Sequence, residues 1–152
     1  MSAQDGRPEI PAPFNALLGV RFVSWSHDAA ELQLTITRDH LNGAFAVHGG
    51  VFATMLDNAV TFCAAFAGEG KPGHRCLTLS LTTSFVAPAL EGDVLHARAR
   101  IAGGGRKLVF VQGEIVNQEG RRLAHGDAVI KRLAPPPTDR TGKTGKTEEE
   151  DT

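Results

Sequence analysis

One short stretch concentrates the residues able to do chemistry. It runs Asn42-Gly-Ala-Phe-Ala-Val-His48-Gly49-Gly50 and continues through Asp57 and Thr61 to Gly68. A helix that opens at Gly49-Gly50 presents free N–H groups and the positive end of its macrodipole there. Such donors can hold a carbonyl oxygen that gains negative charge. Asp57 supplies one carboxylate in the middle of an otherwise apolar helix, where an Asp is rarely buried without a partner. Thr61 lies one turn further on and has a hydroxyl to orient that carboxylate or water. Asn42 and His48 add polar groups to the entering loop. One segment thus offers an oxyanion-type site and a carboxylate about two turns further on.

The elements that would position these residues are legible in the same stretch. Phe52, Met55, Leu56, Ala59, Phe62, Cys63 and Phe66 recur at helical spacing and predict one long apolar helix stopping at Gly68. Gly50, Thr54, Asp57 and Thr61 follow the i, i+4, i+7, i+11 rule and form a second stripe, small and polar. At ~1.5 Å per residue, Gly49 and Asp57 of one chain stand roughly 12 Å apart. That is too far to serve one reacting carbon, so if both act, Asp57 meets a glycine from a second copy. Plainer readings stand beside these. A Gly-Gly can be only a turn, and a helical Asp only a solvated residue. Asn42 and His48 can simply cap the loop, and a helical Thr can bond back to its own backbone.

Upstream, Phe14–Gly19 is a short apolar patch of one or two helical turns. Val20–Trp25 and Glu31–Thr37 are strands joined by a Ser26–Ala29 turn, with Leu32, Leu34 and Ile36 on one face. Arg38–Val47 is the loop into the helix. Downstream come four strands, Cys76–Val86, Val94–Ala102, Lys107–Asn117 and Arg122–Leu133, whose short connections predict antiparallel neighbours. A hairpin, one long helix and four strands make an α+β domain, an antiparallel sheet wrapped around its helix. The boundaries expected are an extended arm over 1–13, the domain over 14–134, and a disordered tail over 135–152, which lacks aliphatic residues. Gly142-Lys-Thr and Gly145-Lys-Thr in that tail lack the glycine spacing and the strand of a phosphate loop.

Asn42, His48-Gly49-Gly50 and Asp57-Asn58, at these spacings, resemble the signature of the hotdog-fold acyl-CoA thioesterases of the phenylacetate-degradation type. The run Leu79-Ser-Leu-Thr-Thr-Ser-Phe-Val-Ala-Pro88 followed by Gly92-Asp93 is similar to that family's next strand and turn. The resemblance spans roughly Phe14 to Leu133 and implies the hotdog fold. It implies that the Gly49 N–H polarises a thioester carbonyl and that Asp57 of the partner subunit attacks it or activates water. Asn42 and His48 would shape the loop and hold the thioester, with Gly50 beside them, and Thr78 would bring a hydroxyl near the water. Coenzyme A enters as part of the substrate, so no cofactor is expected. Its phosphates suggest Arg106 and Lys107 after the Gly103-Gly-Gly turn, residues that in other proteins are often just a solvated hairpin end. Phe45, Val51 and Phe52 are candidates for an apolar acyl pocket, aromatic or medium to long in chain. The expected form is a homodimer or a dimer-of-dimers tetramer. A hydratase or dehydratase of the same fold would pair its His and acid at other spacings. A non-catalytic acyl-CoA-binding module, sensor or scaffold, is the reading from another class, and the retained Asp57 argues against it.

Composition narrows the field further. The chain has 152 residues, enough for one domain, and 41% hydrophobic residues can build its core. A net charge of -1 does not suggest a nucleic-acid surface. No run reaches the ~18–20 apolar residues of a membrane span, and the N-terminus lacks a secretory core. Cys63 and Cys76 fit a reduced, cytoplasmic protein. No Cys/His cluster has metal spacing. His27, His40, His74, His96 and His125 read as surface or strand histidines.

Overall fold

The computed structural model describes residues 12–134. The 135–152 segment and all but the end of the 1–13 arm lie outside them. Pro13 is not part of an arm: it opens α1 (Pro13–Leu18), where a residue without an N–H loses no helical bond. Gly19 closes α1 in the left-handed region (φ 79). β1 (Arg21–Trp25) and β2 (Ala29–Thr35) form the expected hairpin. A 3-10 turn over Arg38–His40 interrupts the loop that follows. Then come α2 (Gly49–Ala65), β3 (Cys76–Phe85), β4 (Val94–Gly104), β5 (Leu108–Val116) and β6 (Arg122–Arg132).

The six strands make one antiparallel sheet in the order β1-β2-β4-β5-β6-β3, with α2 packed on β2 through β6. Alternation works as expected: Leu95, Ala97 and Ala99 of β4 are buried while Arg98 and Arg100 face out. Met55, Leu56, Ala59, Val60 and Cys63 of α2 are fully buried against that inner face. Each large aliphatic side chain buried in this way contributes roughly 1.5–3 kcal/mol. The helix seats close because Gly113 and Gly126 lie beneath it: a Cβ on Gly113 would come within 3.1 Å of Leu56.

Two expectations need correction. α2 stops at Ala65, short of Gly68. The carbonyls a longer helix would use are taken: Ala64 C=O by Arg132 Nε (2.7 Å) and Ala65 C=O by the His74 N–H (2.7 Å). Phe66 leaves the helix with ψ 125 and packs edge-on against Trp25. Second, β3 and β4 are sequential but not neighbours. β3 pairs with β6 and ends at the sheet's edge, leaving its other side unpaired among the described residues. The connection is held elsewhere: the Val86 and Ala87 N–H groups donate to Leu123 C=O, and Ala89 C=O accepts from Val47 N–H.

Candidate active site

The loop before α2 is built by its own polar side chains. Asn42 Oδ1 accepts from Ala44 N–H (2.8 Å) and Ala46 N–H (3.3 Å), closing a tight turn in which Phe45 takes φ 60. Leu41 and Val47 bridge across its base. His48 is the N-cap of α2: its Nδ1 accepts from Gly50 N–H (2.9 Å), and its C=O accepts from Val51 N–H (2.9 Å). An N–H can only donate, so the exposed His48 carries its ring proton on Nε2. Flanked by the His48 N–H, which donates to His40 C=O, and the capped Gly50 N–H, the Gly49 N–H has no partner among the described residues. It borders a cleft of about 380 Å³ lined by Asn42, Gly49, Phe52, Phe85 and Pro88, among others. The Phe85 ring lies 3.4 Å from where a Gly49 Cβ would stand.

The carboxylate lies on the other part of the helix. Asp57 is half-buried on the polar stripe, and Thr78 Oγ1 donates to its Oδ1 at 2.8 Å. The Thr61 and Thr78 hydroxyls are 3.1 Å apart. Thr78 has one proton. Once it is given to Asp57, Thr61 must be the donor to Thr78, so the chain runs Thr61 to Thr78 to Asp57. This holds one carboxylate oxygen and leaves Oδ2 without a partner among the described residues. Asn58 beside it is tied to Asn15 of α1 (2.8 Å).

The predicted residues therefore fall into two groups. Asn42, His48, Gly49 and Gly50 cluster at the helix start, and Asp57, Thr61 and Thr78 meet two turns away. Four others do not line the cleft. Phe45 is 68% exposed at the loop tip, while Val51 is turned into the core. Arg106 and Lys107 are exposed on the β4–β5 hairpin. Phe85 and Pro88 belong to the run that resembles the family's next strand, but nothing in it assigns them to the cleft, because a strand pattern does not show what a residue meets. His40, expected at the surface or on a strand, is buried in the 3-10 turn. A larger concavity, about 490 Å³, lies on the outer sheet face among Arg98, Arg100, Glu114, Arg122 and Asp127, remote from both groups. No group of three or more metal-ligating side chains occurs among the described residues, and none of their helices is long and apolar enough to cross a membrane.

Known proteins share both sequence and fold with this chain. It is 29% identical over 107 residues to acyl-coenzyme A thioesterase PaaI of Escherichia coli K12, covering 70% of this chain and 73% of that one. It is 25% identical over 115 residues to human acyl-coenzyme A thioesterase 13, covering 74% and 80% respectively. The solved structure of E. coli PaaI superposes with a TM-score of 0.75 at 25% identity over 82% of this chain and 86% of the other. The TT0310 protein from Thermus thermophilus shares the fold with a TM-score of 0.74 at 23% identity, over 82% of this chain and all of that one. Residues 46–124, from the loop through α2 into β6, match the family model of the Thioesterase superfamily, and the chain belongs to that family of hotdog-fold thioester hydrolases.

Proposed function

We propose that the protein hydrolyses an acyl-CoA thioester to the free acid and CoA, in a site shared by two copies of the chain. The observation that carries this is the division of the equipment. An uncommitted Gly49 N–H borders a cleft at the start of α2, and a hydroxyl-clamped Asp57 lies roughly 12 Å along the same helix. The unpaired edge of β3 offers the second copy a place to dock, and Leu77, Leu79 and Phe85 on that strand are exposed. Pairing of two β3 edges extends the sheet and brings one copy's Asp57 toward the other's Gly49.

In this site the Gly49 N–H and the helix dipole hold the carbonyl oxygen as it gains charge. His48, by capping the Gly50 N–H, keeps the turn that presents this donor in shape. Asp57 Oδ2 takes a proton from water as the water oxygen attacks the acyl carbon, or attacks that carbon itself to give an anhydride that water then opens. In either route the C–S bond breaks, and the thiolate leaves as CoA after gaining a proton. The Thr78 and Thr61 hydroxyls keep Oδ1 occupied so that Oδ2 faces the reaction. Phe52, Phe85 and Pro88 form an apolar wall for the acyl group, a wall suited to aromatic or medium to long chains. The test is thiol release from a panel of acyl-CoA esters of graded length and aromaticity. Turnover with an acyl preference supports the reading. Tight binding without thiol release on any member identifies a binding module instead.

A further inference from the structure

We propose that His40 is a positioning residue that couples α1 to the turn presenting the Gly49 N–H. The inference rests on the reading of Gly49 as the carbonyl donor. His40 is only 6% exposed, and both ring nitrogens are engaged. The Thr37 backbone N–H donates to Nδ1 at 2.9 Å, so Nδ1 is the acceptor and the ring proton sits on Nε2. That Nε2–H donates to Leu18 C=O, also at 2.9 Å. The ring is therefore neutral, with one tautomer set by a donor that cannot reverse its role.

What the ring holds decides its importance. α1 buries none of its residues, so packing does not fix it. Polar ties do: Leu18 C=O to the His40 ring, and Asn15 to Asn58, the neighbour of Asp57. From His40 the path continues through its backbone. His40 C=O accepts from His48 N–H at 2.9 Å, and His48 caps Gly50. One line of bonds thus leads from α1 through the His40 ring and carbonyl to His48 and its neighbour Gly49. α1 straps the carbonyl end of the site to the carboxylate end. A tilt of His40 shifts His48 and re-aims the Gly49 N–H without touching substrate.

Three variants separate this role from simple core filling. His40→Ala removes both ties. His40→Asn keeps an acceptor near the Nδ1 position but does not reach Leu18, and His40→Gln keeps a donor near the Nε2 position. Each is assayed for kcat and KM on the best acyl-CoA, and for amide hydrogen exchange at His48 and Gly50. Misplacement of the donor is expected to lower kcat by up to ~10²-fold in His40→Ala and His40→Asn. KM should stay within about threefold, because bulk substrate contacts are unchanged. Exchange at His48 and Gly50 should quicken in the same two variants, while His40→Gln recovers most of both. If His40→Ala does not fold, the Asn and Gln pair carries the comparison. Equal behaviour of Asn and Gln, or a folded His40→Ala with parental kcat and unchanged exchange, overturns the proposal. A parent chain that releases no thiol defeats the functional reading instead. The exchange data then decide this coupling alone, and unchanged His48 and Gly50 amides overturn it.

Discussion

Asp57 sits in an apolar helix with no cationic partner among the described residues, held by the Thr78 hydroxyl alone. Such a carboxylate is costly to keep partly desolvated, which argues for a role in chemistry. Asp57→Asn keeps its volume and can still accept from Thr78, so the fold should survive. It loses the proton acceptor and nucleophile, and thiol release should fall by at least ~10²-fold with analogue affinity little changed. A folded variant at near parental turnover would take Asp57 out of the mechanism. Thr78 is testable by the same logic. Thr78→Ser keeps the donor and should retain most activity, whereas Thr78→Val leaves Oδ1 unclamped and should lower kcat more than it alters KM. Equal activity of the two would show that the clamp is idle. Asp57 and Gly49 are legible in sequence because both lie on one helix, where spacing alone fixes geometry. The Thr78 clamp on Asp57 and the Phe85 wall of the cleft depend on which strand lies beside the helix. His40 depends on a bond to Leu18, far away in sequence. No local pattern carries that information.

At the scale of elements, every strand and the long helix are legible because period-2 and period-3.6 patterns are strong in this chain. Strand order is not. Alternation in β3 says which face is buried and nothing about the neighbour, and the 86–93 connection places β3 beside β6 by bonds to Leu123. The helix end is hidden for a related reason: Gly68 is a sound local stop, but Arg132 of the distant β6 and His74 of the following loop claim the last carbonyls first. The β3–β6 pairing is tight at Gly126, where a Cβ would stand 2.5 Å from the Thr82 backbone oxygen. Backbone cannot swing aside as a side chain can. Gly126→Ala should therefore destabilise the domain by about 1–3 kcal/mol, the usual cost of overpacking, read as a lower urea midpoint. An unchanged midpoint would mean that β3 yields easily, and would weaken its part in carrying Thr78 to Asp57.

For the whole molecule, the core sets a pH limit of its own. Burial, with the Asp28 carboxylate adding to it and Arg132 opposing, pushes the Cys63 thiol from an ordinary 9.0 up to about 12. The folded state keeps the thiol neutral while the unfolded chain ionises above 9. This contribution is thus fully present below pH 9 and is lost as pH rises toward 12. Cys63→Ala should flatten the fall of the unfolding midpoint across that window, and an identical slope in both proteins would contradict the assignment. The larger claim is that no single chain holds a complete site. Two variants test it together. Asp57→Asn removes the carboxylate. Gly49→Pro removes the carbonyl donor and sets a ring against Phe85 in the cleft, while the helix start should persist, because proline suits a first helical position and His48, at φ -64 and ψ 136, already has the backbone that precedes proline. Each variant alone should be nearly inactive. Mixed with subunit exchange verified by mass, they should regain about a quarter of parental turnover per chain, since each mixed pair of a twofold assembly rebuilds one of its two sites. A verified mixture that stays as inactive as its parts would contradict the shared site.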